Sequence, residues 1–399
     1  MRKYLFLLAG LFIISSANAQ YDIQVKINGL NCGEEILLAN HFGDKQYLRD
    51  TAECSNGIYH FKGDKTLENG VYLVVLPKKN YFEIMISKAE DQTKLYFETD
   101  TLLTASKMIS RNSEENALFF EFNKLASKLG TEASRLQKEM KDETDEKKIE
   151  KIKETLKGYG EQIANRRIDI AKNNPDKFIG KLYKAMIEVP DIEAPDTMDE
   201  KESDRYRYLW MRAHFWDNLD KSEDGIVRSP VFHNKIKDFF KNYIPPMPDT
   251  AIMLIDNFIK QIEDAGSKEQ FKYAVHYFLS NSEKSKYMCF DKVLHHMATE
   301  YYCAGKAFWA DSAFLDKICS EADKMALTLC EVVAPDMAMP DSTFSKRVVM
   351  SEIDKPVTIL VFWDINCGHC KKEMPLINQY YDTANRDHVE IYSVYTQGD

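Results

Sequence analysis

The feature that most constrains the fold is a short segment near the end of the sequence. Val357 to Trp363 is a run of seven uncharged residues rich in β-branched and aromatic side chains, and Cys367 and Cys370 follow it closely. A run of this kind favours a buried β-strand and leaves little room for an amphipathic helix. The segment therefore predicts a strand-to-helix junction that carries two thiols.

Two thiols with C-x-x-C spacing at such a junction can carry out dithiol–disulfide exchange. At the helix N-terminus, the helix dipole and free backbone amides lower the pKa of Cys367 and favour its nucleophilic thiolate. Cys370 falls one turn later on the same face, where it can attack a mixed disulfide formed at Cys367 and release the partner. A lone C-x-x-C can also be half of a zinc site, so the flanking residues must decide.

The flanking residues resemble the TlpA-like branch of the thioredoxin superfamily. The family pattern is F-W-x-x-x-C-x-x-C-x-x-E-x-P, and this sequence has Phe362-Trp363, Cys367-Gly368-His369-Cys370 and Glu373-Met374-Pro375 in that spacing. The resemblance implies that Cys367 is the attacking thiol and Cys370 the resolving thiol. It also implies that Trp363, Glu373 and Pro375 support the redox helix, with a kink at Pro375.

His369, between the two cysteines, bears on the redox potential. Its imidazole can add positive charge or a hydrogen bond beside Cys367, which lowers the pKa of that thiol and makes the disulfide more oxidising than an apolar residue would. The TlpA-like pattern, in contrast, implies a reductase. The two signals conflict, so the sequence leaves reduction, oxidation and isomerisation open.

The sequence departs from thioredoxin in two respects. Val361 stands where thioredoxin carries a buried acid that moves protons. Val389 to Thr396 predicts the next strand of a βαβ unit, and the sequence ends at Asp399, before the cis-proline strand, the closing hairpin and the last helix of that fold. We therefore expect residues 331–399 to be an incomplete thioredoxin-like α/β unit and the sequence to be a truncated copy of a longer one.

The first 19 residues are predicted to be a cleaved signal peptide. Arg2 and Lys3 precede an apolar run from Tyr4 to Ile14, and Ala17-Asn18-Ala19 fits a cleavage site that leaves Gln20 as the first mature residue. The alternative is a membrane anchor, but the run is short for a bilayer, and no later stretch approaches spanning length. We expect a periplasmic or exported protein, where paired cysteines can oxidise.

Residues 20–110 are predicted to form a β-rich domain of unknown function. Short runs of β-branched and aromatic residues alternate with turn sequences such as Asn56-Gly57 and Asn69-Gly70, which is typical of an antiparallel β-sandwich-like domain. Cys32 and Cys54 both lie in predicted turns, and we consider a structural disulfide between them, against the alternative of two unrelated small apolar residues.

Residues 111–330 are predicted to form an all-α domain of unknown function. Apolar residues recur with a spacing of three and four over 118–129 and 149–163, which predicts a long helical hairpin. Ser267 and Gln270 fit a capping box that opens a later helix. The aromatic residues of this region could line a ligand groove, but stripes at helical spacing are more often core.

Two further groups in this region were considered as sites. His296 and Glu300, with the neighbouring His295, could supply only two metal ligands on one helix face, so we prefer ordinary packing and predict no metal site. The other four cysteines allow three disulfide connectivities, and free buried thiols are an equal alternative. They are Cys289, Cys303, Cys319 and Cys330.

The sequence as a whole predicts a multidomain α+β protein. Its 399 residues suffice for two to three domains, and the net charge of −10 argues against nucleic acid and anionic membrane surfaces as partners. The order of strand-rich, helical and thioredoxin-like domains also resembles multidomain exported TlpA-like proteins whose first two domains have no assigned role.

Three functions are compatible with these predictions. The leading hypothesis is an exported thiol–disulfide oxidoreductase that acts on a disulfide-bearing protein and, by resemblance, draws electrons from a membrane thiol carrier. The alternative is a binding or scaffold protein whose first two domains recognise a peptide or glycan, with the redox fold incidental. A peroxidase is a weaker alternative, because a peroxidatic cysteine does not require a C-x-x-C partner. No cofactor is predicted.

Overall fold

The computed structural model describes residues 19–396 and divides into two compact units, one ending at Ala310 and one beginning at Asp311. The predicted signal peptide lies outside the described residues except for its last residue, Ala19. Among residues 19–396, no helix has the length and apolar character needed to cross a bilayer. The chain is a mixed protein of helices and sheets, as the sequence predicts. The division at residues 110 and 330 stays a prediction.

In the described part of the first unit, nine strands form two sheets. They are β1 (Tyr21–Asn28), β2 (Leu37–Phe42), β3 (Lys45–Thr51), β4 (Glu53–Ser55), β5 (Ile58–Gly63), β6 (Gly70–Val75), β7 (Tyr81–Ile86), β8 (Tyr96–Asp100) and β9 (Ile109–Arg111). One sheet has the order β4-β5-β1-β8-β9 and the other the order β3-β2-β6-β7. Alternation is regular in β1, where Ile23, Val25 and Ile27 are buried and the residues between them are partly exposed, so one face of this strand packs into the core.

The expectation of purely antiparallel pairing is wrong at the centre of the first sheet. β1 pairs antiparallel with β5 on one side but parallel with β8 on the other, in a register that sets Gln24 opposite Tyr96. A parallel pair needs a long crossover connection. Here the connection consists of β2 to β7, after which β8 pairs with β1. Turn signals in the sequence describe neighbouring strands only, so they do not predict this pairing.

The helices that follow also belong to the first unit. They are α1 (Glu114–Asp142), α2 (Glu146–Asn173), α3 (Phe178–Ala185), α4 (Glu200–His214), α5 (Pro230–Asn242), α6 (Pro248–Ala265), α7 (Lys268–Glu283) and α8 (Asp291–Met297). The predicted hairpin corresponds to α1 and α2, which begin at the caps Ser113 and Asp145. The preference for core holds for part of the aromatic residues of this region: Trp216, Phe271, Tyr273, Phe278, Tyr301 and Tyr302 are buried, whereas Tyr208 and Phe308 are exposed.

The predicted capping box at α7 is half formed. Ser267 Oγ accepts a hydrogen bond from the backbone N–H of Gln270 at 3.1 Å, as expected of the cap. The side chain of Gln270 does not return the bond: its amide donates to the carbonyl oxygens of Asp220 and Glu223, both at 2.9 Å. Both bonds are part-buried, and through them Gln270 ties the preceding loop to α7.

The second unit contains one more α-helix before a group of strands. Its elements are α9 (Ser312–Ala326), β10 (Ala338–Pro340), β11 (Arg347–Val349), β12 (Val357–Trp363), α10 (Cys370–Thr383) and β13 (Val389–Tyr395). β10 and β11 form an antiparallel pair, and β12 and β13 a parallel pair. The prediction that β12 is buried is wrong, since Val357 and Phe362 are 51% and 56% exposed. Within the described chain this sheet has two strands, and they leave the side chains of β12 partly uncovered.

A buried asparagine joins the second sheet to the helices. β7 is the edge strand of that sheet, and Met85 there has its outward N–H and carbonyl satisfied by the side chain of Asn116, both at 2.7 Å. Asn116 is fully buried, and the cap Ser113 holds its amide at 2.8 Å. An unpaired strand edge in a buried place is costly, so Asn116 takes the role of a neighbouring strand.

We expect Asn116→Ala to lower the free energy of unfolding by about 2–3 kcal/mol, because it leaves both backbone groups of Met85 without partners. Denaturant unfolding of the purified protein measures the change. Asn123→Ala on the same helix is the matched control and should change stability by less than about 0.5 kcal/mol. Equal effects of the two variants would contradict this role for Asn116.

The neighbouring Glu115 supplies a pH-dependent contribution. Burial raises the pKa of this carboxyl, even though it accepts the backbone N–H of Ile179 at 2.7 Å. The folded state therefore holds a proton more tightly than the unfolded state does, and stability from this group decreases as pH rises above the ordinary value of 4.5.

We expect Glu115→Gln to remove that decrease, so that the variant gains stability relative to the parent as pH rises through the pKa of folded Glu115. Urea unfolding at a series of pH values measures the difference. Glu114→Gln should show the opposite sign, because Lys177 lowers the pKa of exposed Glu114 and its contribution is lost as pH falls. A constant offset for Glu115→Gln at every pH would contradict the assignment.

Candidate functional site

The parallel pairing of β12 and β13 brings the carboxyl ends of the two strands to the same edge of the sheet. The register runs from Val357 opposite Val389 to Trp363 opposite Tyr395, and the two rings lie 5.0 Å apart between centroids. Thr396 bonds the carbonyl of Trp363 through its backbone N–H at 2.8 Å and its hydroxyl at 3.1 Å. In α/β sheets, functional loops start at the carboxyl ends of parallel strands. Trp363 thus anchors the loop that carries the cysteines.

A turn organised by Asp364 leads from β12 to the cysteines. Its carboxylate accepts the backbone N–H of Asn366, and its carbonyl accepts that of Cys367 at 3.2 Å. Side chains of aspartate commonly bond the backbone two residues on in this manner. Asp364 is not among the positioning residues predicted from the sequence, although an aspartate directly after a strand is a recognisable turn signal.

The two cysteines form a disulfide at the start of α10. Their Cα atoms are 5.2 Å apart, within the ordinary range for a disulfide, and both residues are partly exposed. Cys370 is the first residue of the helix, whereas Cys367 lies in the turn before it. The backbone N–H of Cys370 donates to Cys367 Sγ at 3.2 Å. An unpaired helix amide directed at this sulfur stabilises negative charge there when the pair is reduced.

The other predicted site residues lie around the same helix terminus. His369 precedes α10 and is exposed, and within the described chain its side chain does not cap the helix. Glu373, also exposed, is in the first turn, where a carboxylate interacts favourably with the helix dipole. Pro375 lies inside α10, which continues past it to Thr383, and the predicted kink at this position stays a prediction. Val361 is partly exposed and pairs with Ser393 on β13.

The first unit carries a separate disulfide. Cys32 follows β1, Cys54 lies in β4, and the two are joined with Cα atoms 5.4 Å apart. This pair links the two ends of the segment that contains β2 and β3, and nothing in it has the strand-to-helix setting of Cys367 and Cys370. The four cysteines left open by the sequence are also disulfide-bonded.

His296, one of the residues weighed as a metal ligand, is hydrogen-bonded to a carboxylate of α6. His296 Nε2 bonds the carboxylate of Asp256 at 2.9 Å, and the hydroxyl of Tyr301 donates to the same carboxylate at 2.7 Å. These bonds lower the pKa of Asp256 against the effect of its burial, which is the larger single influence. Among the described residues, no group of three side chains could hold a metal ion.

Comparison with known families places the second unit's site in a redox context. Residues 331–399 match the AhpC/TSA family, which indicates a thioredoxin-like domain of the peroxiredoxin or TlpA type. The match covers β10 to β13 and α10, and therefore Cys367 and Cys370. Comparisons with curated proteins and with solved structures gave no match. The family supports a thioredoxin-like redox function in general.

We expect Cys367 of the reduced protein to alkylate faster than Cys370 at neutral pH, with a midpoint below the value of about 8.5 for free cysteine. The reason is the amide of Cys370, which can stabilise a thiolate at Cys367. Iodoacetamide labelling followed by peptide mass spectrometry at a series of pH values measures both thiols. The two thiols act as controls for each other, and equal rates would contradict the asymmetry.

Proposed function

We propose that the chain is an exported thiol–disulfide oxidoreductase of the TlpA-like type that reduces disulfides in other proteins through Cys367 and Cys370. The single observation that carries the proposal is the disulfide between these cysteines at the start of α10, with the N–H of Cys370 donating to Cys367 Sγ. The AhpC/TSA match and the F-W-x-x-x-C-x-x-C-x-x-E-x-P spacing support the same chemistry.

The proposed cycle moves two electrons. Cys367 thiolate attacks one sulfur of a substrate disulfide, forms a mixed disulfide and expels the other substrate sulfur as a thiolate. Cys370 thiolate then attacks Cys367 Sγ, which closes the intramolecular disulfide and releases the second substrate thiolate. The substrate gains two electrons, the protein loses two, and two protons from solvent neutralise the released thiolates.

An external dithiol has to return the protein to its reduced form. We propose that a membrane thiol carrier does so, because an exported reductase works in an oxidising compartment. The signal-peptide pattern from Arg2 to Ala19 supports export. His369 next to Cys370 favours a less reducing couple, so the potential of this pair is expected above that of thioredoxin, about −270 mV.

A binding function for the first unit is the second candidate. One observation favours it: a large cleft in that unit is lined by lysine and aromatic side chains that the redox chemistry does not use. The two functions are compatible, since a binding unit can accompany a redox unit in one chain.

We expect the protein to accelerate reduction of a disulfide-bearing protein such as insulin by dithiothreitol, measured as turbidity. Cys367→Ala should abolish the acceleration, because it removes the attacking sulfur. Reduced Cys370→Ala, incubated with the oxidised substrate without dithiothreitol, should stop at a mixed disulfide, seen as an added substrate mass that later addition of dithiothreitol removes.

The double variant Cys32→Ala/Cys54→Ala is the control, because it removes a disulfide of the other unit and should keep turnover. Peroxide consumption that needs Cys367 but not Cys370 would contradict the proposal in favour of a peroxidase. Full turnover by Cys367→Ala would contradict any role for the pair.

A further inference from the structure

A cleft in the first unit lies between the β2–β3 hairpin and the helices α5 and α7. We call it the lysine cleft, and its volume is about 970 Å³. Seven lysine and arginine side chains line it, against the carboxylates of Asp44 and Glu269. The whole chain carries a net charge of −10, so this concentration of positive charge is opposite in sign to the rest of the molecule. Such a cleft raises the local concentration of anionic ligands.

The lysines of the cleft lack carboxylate partners. Elsewhere on the protein many lysines form ion pairs, for example Lys181 with Glu223 at 3.0 Å. Within residues 19–396, no carboxylate lies within 4.0 Å of the five ammonium groups of the cleft. These are the side chains of Lys45, Lys237, Lys241, Lys272 and Lys284. Their charge is therefore available to a ligand.

Polar side chains follow one another along α7. Lys272, His276 and Ser280 of the helix and Lys284, the residue directly after it, recur every four residues and line the cleft together. Lys272 to Lys284 spans about three helical turns, or about 18 Å. An extended peptide rises about 3.3 Å per residue, so five or six residues would cover this length. A single compact anion would engage only one end of it.

The pKa of His276 reflects the same positive field. Partial burial lowers this pKa, and Lys45, Lys284 and Lys272 lower it further. On the α5 side, burial and Lys237 lower the pKa of His233. Asp44 opposes both effects. Protonated histidine is disfavoured at both positions until negative charge enters the cleft.

The base of the cleft is aromatic. Tyr273 and Tyr277 of α7 lie 6.3 Å apart, Phe42 of the hairpin meets Tyr273 edge to face at 5.8 Å, and Phe240 of α5 contacts Tyr277 at 6.1 Å. The hydroxyl of Tyr273 bonds His233 at 2.7 Å, which fixes that ring. Tyr273 itself is buried, and it fixes the partly exposed rings of Phe42 and Tyr277 around it. Rings held in this way offer rigid apolar surface at low entropic cost.

The hairpin is locked against this aromatic base. Gly43 has φ +62° at the turn between β2 and β3, and a Cβ there would lie 2.0 Å from the ring of Tyr273. Its N–H donates to the carbonyl of Val227 at 2.8 Å. The turn thus needs glycine both for conformation and for space, and Lys45 is carried on a rim of fixed position.

We propose that the lysine cleft binds an extended acidic peptide segment of a partner protein, with an aromatic or apolar side chain of the segment against the partly exposed ring of Tyr277. Five of the seven cations are lysines, and the two arginines are held by other partners: Arg49 donates to the side chain of Asn40, and Arg228 donates to the carbonyl of Asn69. Lysine ammonium groups are point charges without the planar fork that arginine offers, so they suit several separate carboxylates along a chain better than one phosphate. Regular spacing along α7 favours a linear ligand. This inference does not depend on the redox function.

The test uses the full chain and a short labelled peptide of glutamates with one tyrosine and one phenylalanine, followed by fluorescence anisotropy. We expect saturable binding that weakens with added salt and that is lost when the glutamates are replaced by glutamines. Lys272→Glu/Lys284→Glu should weaken binding about tenfold or more. The charge-matched control Lys268→Glu/Lys286→Glu, at exposed positions outside the cleft lining, should retain it. Peptide binding should also raise the pKa of His276, followed by its imidazole resonances.

Several results would overturn the proposal. These are absence of binding by the glutamate peptide, equal binding by the glutamine peptide, and equal losses in the cleft and control variants. Binding of an acidic oligosaccharide as tightly as the peptide would assign the cleft to a glycan instead. Thermal unfolding of each variant separates loss of binding from loss of fold, and Lys237→Glu/Lys241→Glu provides a second cleft variant on α5.

Discussion

The candidate redox site depends on the parallel hydrogen bonding between β12 and β13. That pairing fixes where β12 ends, and Thr396 then holds the carbonyl of Trp363 while Asp364 turns the chain toward the cysteines. Because α10 starts at Cys370, its first amide is available to Cys367 Sγ. The strand pairing, the turn and the start of the helix together place one backbone N–H against Cys367 Sγ, where it can stabilise a thiolate.

The sequence predicted those features that follow from local patterns. The uncharged run before the cysteines indicated β12, and the three-and-four spacing indicated α1 and α2. The sequence did not predict features that depend on residues far away in the chain. Gln270 fits a capping box locally, yet its amide donates instead to two backbone carbonyls about fifty residues earlier in the chain. The apolar composition of β12 predicts a buried strand, but Val357 and Phe362 are exposed. The exposure of a strand depends on the strands and helices that cover it, which its own composition does not specify.

The lysine cleft shows the same limitation for binding sites. Its charges come from a hairpin near residue 45 and from helices near residues 240 and 280, so no window of the sequence contains a basic cluster. The net charge of −10 would suggest a protein that repels anionic ligands, because it averages over the whole chain. The sequence favoured core for the aromatic residues of this region, and the structure agrees for Tyr273, which is buried. Tyr277, one turn later, is only partly covered, and the sequence pattern does not distinguish the two.

The parallel contact between β1 and β8 has a consequence for the order in which the protein can assemble. Gln24 meets Tyr96 across the first sheet, so β1 stays without one of its neighbours until the intervening strands have been made. The second sheet needs only residues 37–86 and relies on shorter loops. Because non-local pairing is slow compared with the closure of hairpins, a chain that emerges from its N-terminus will form its second sheet before it completes its first.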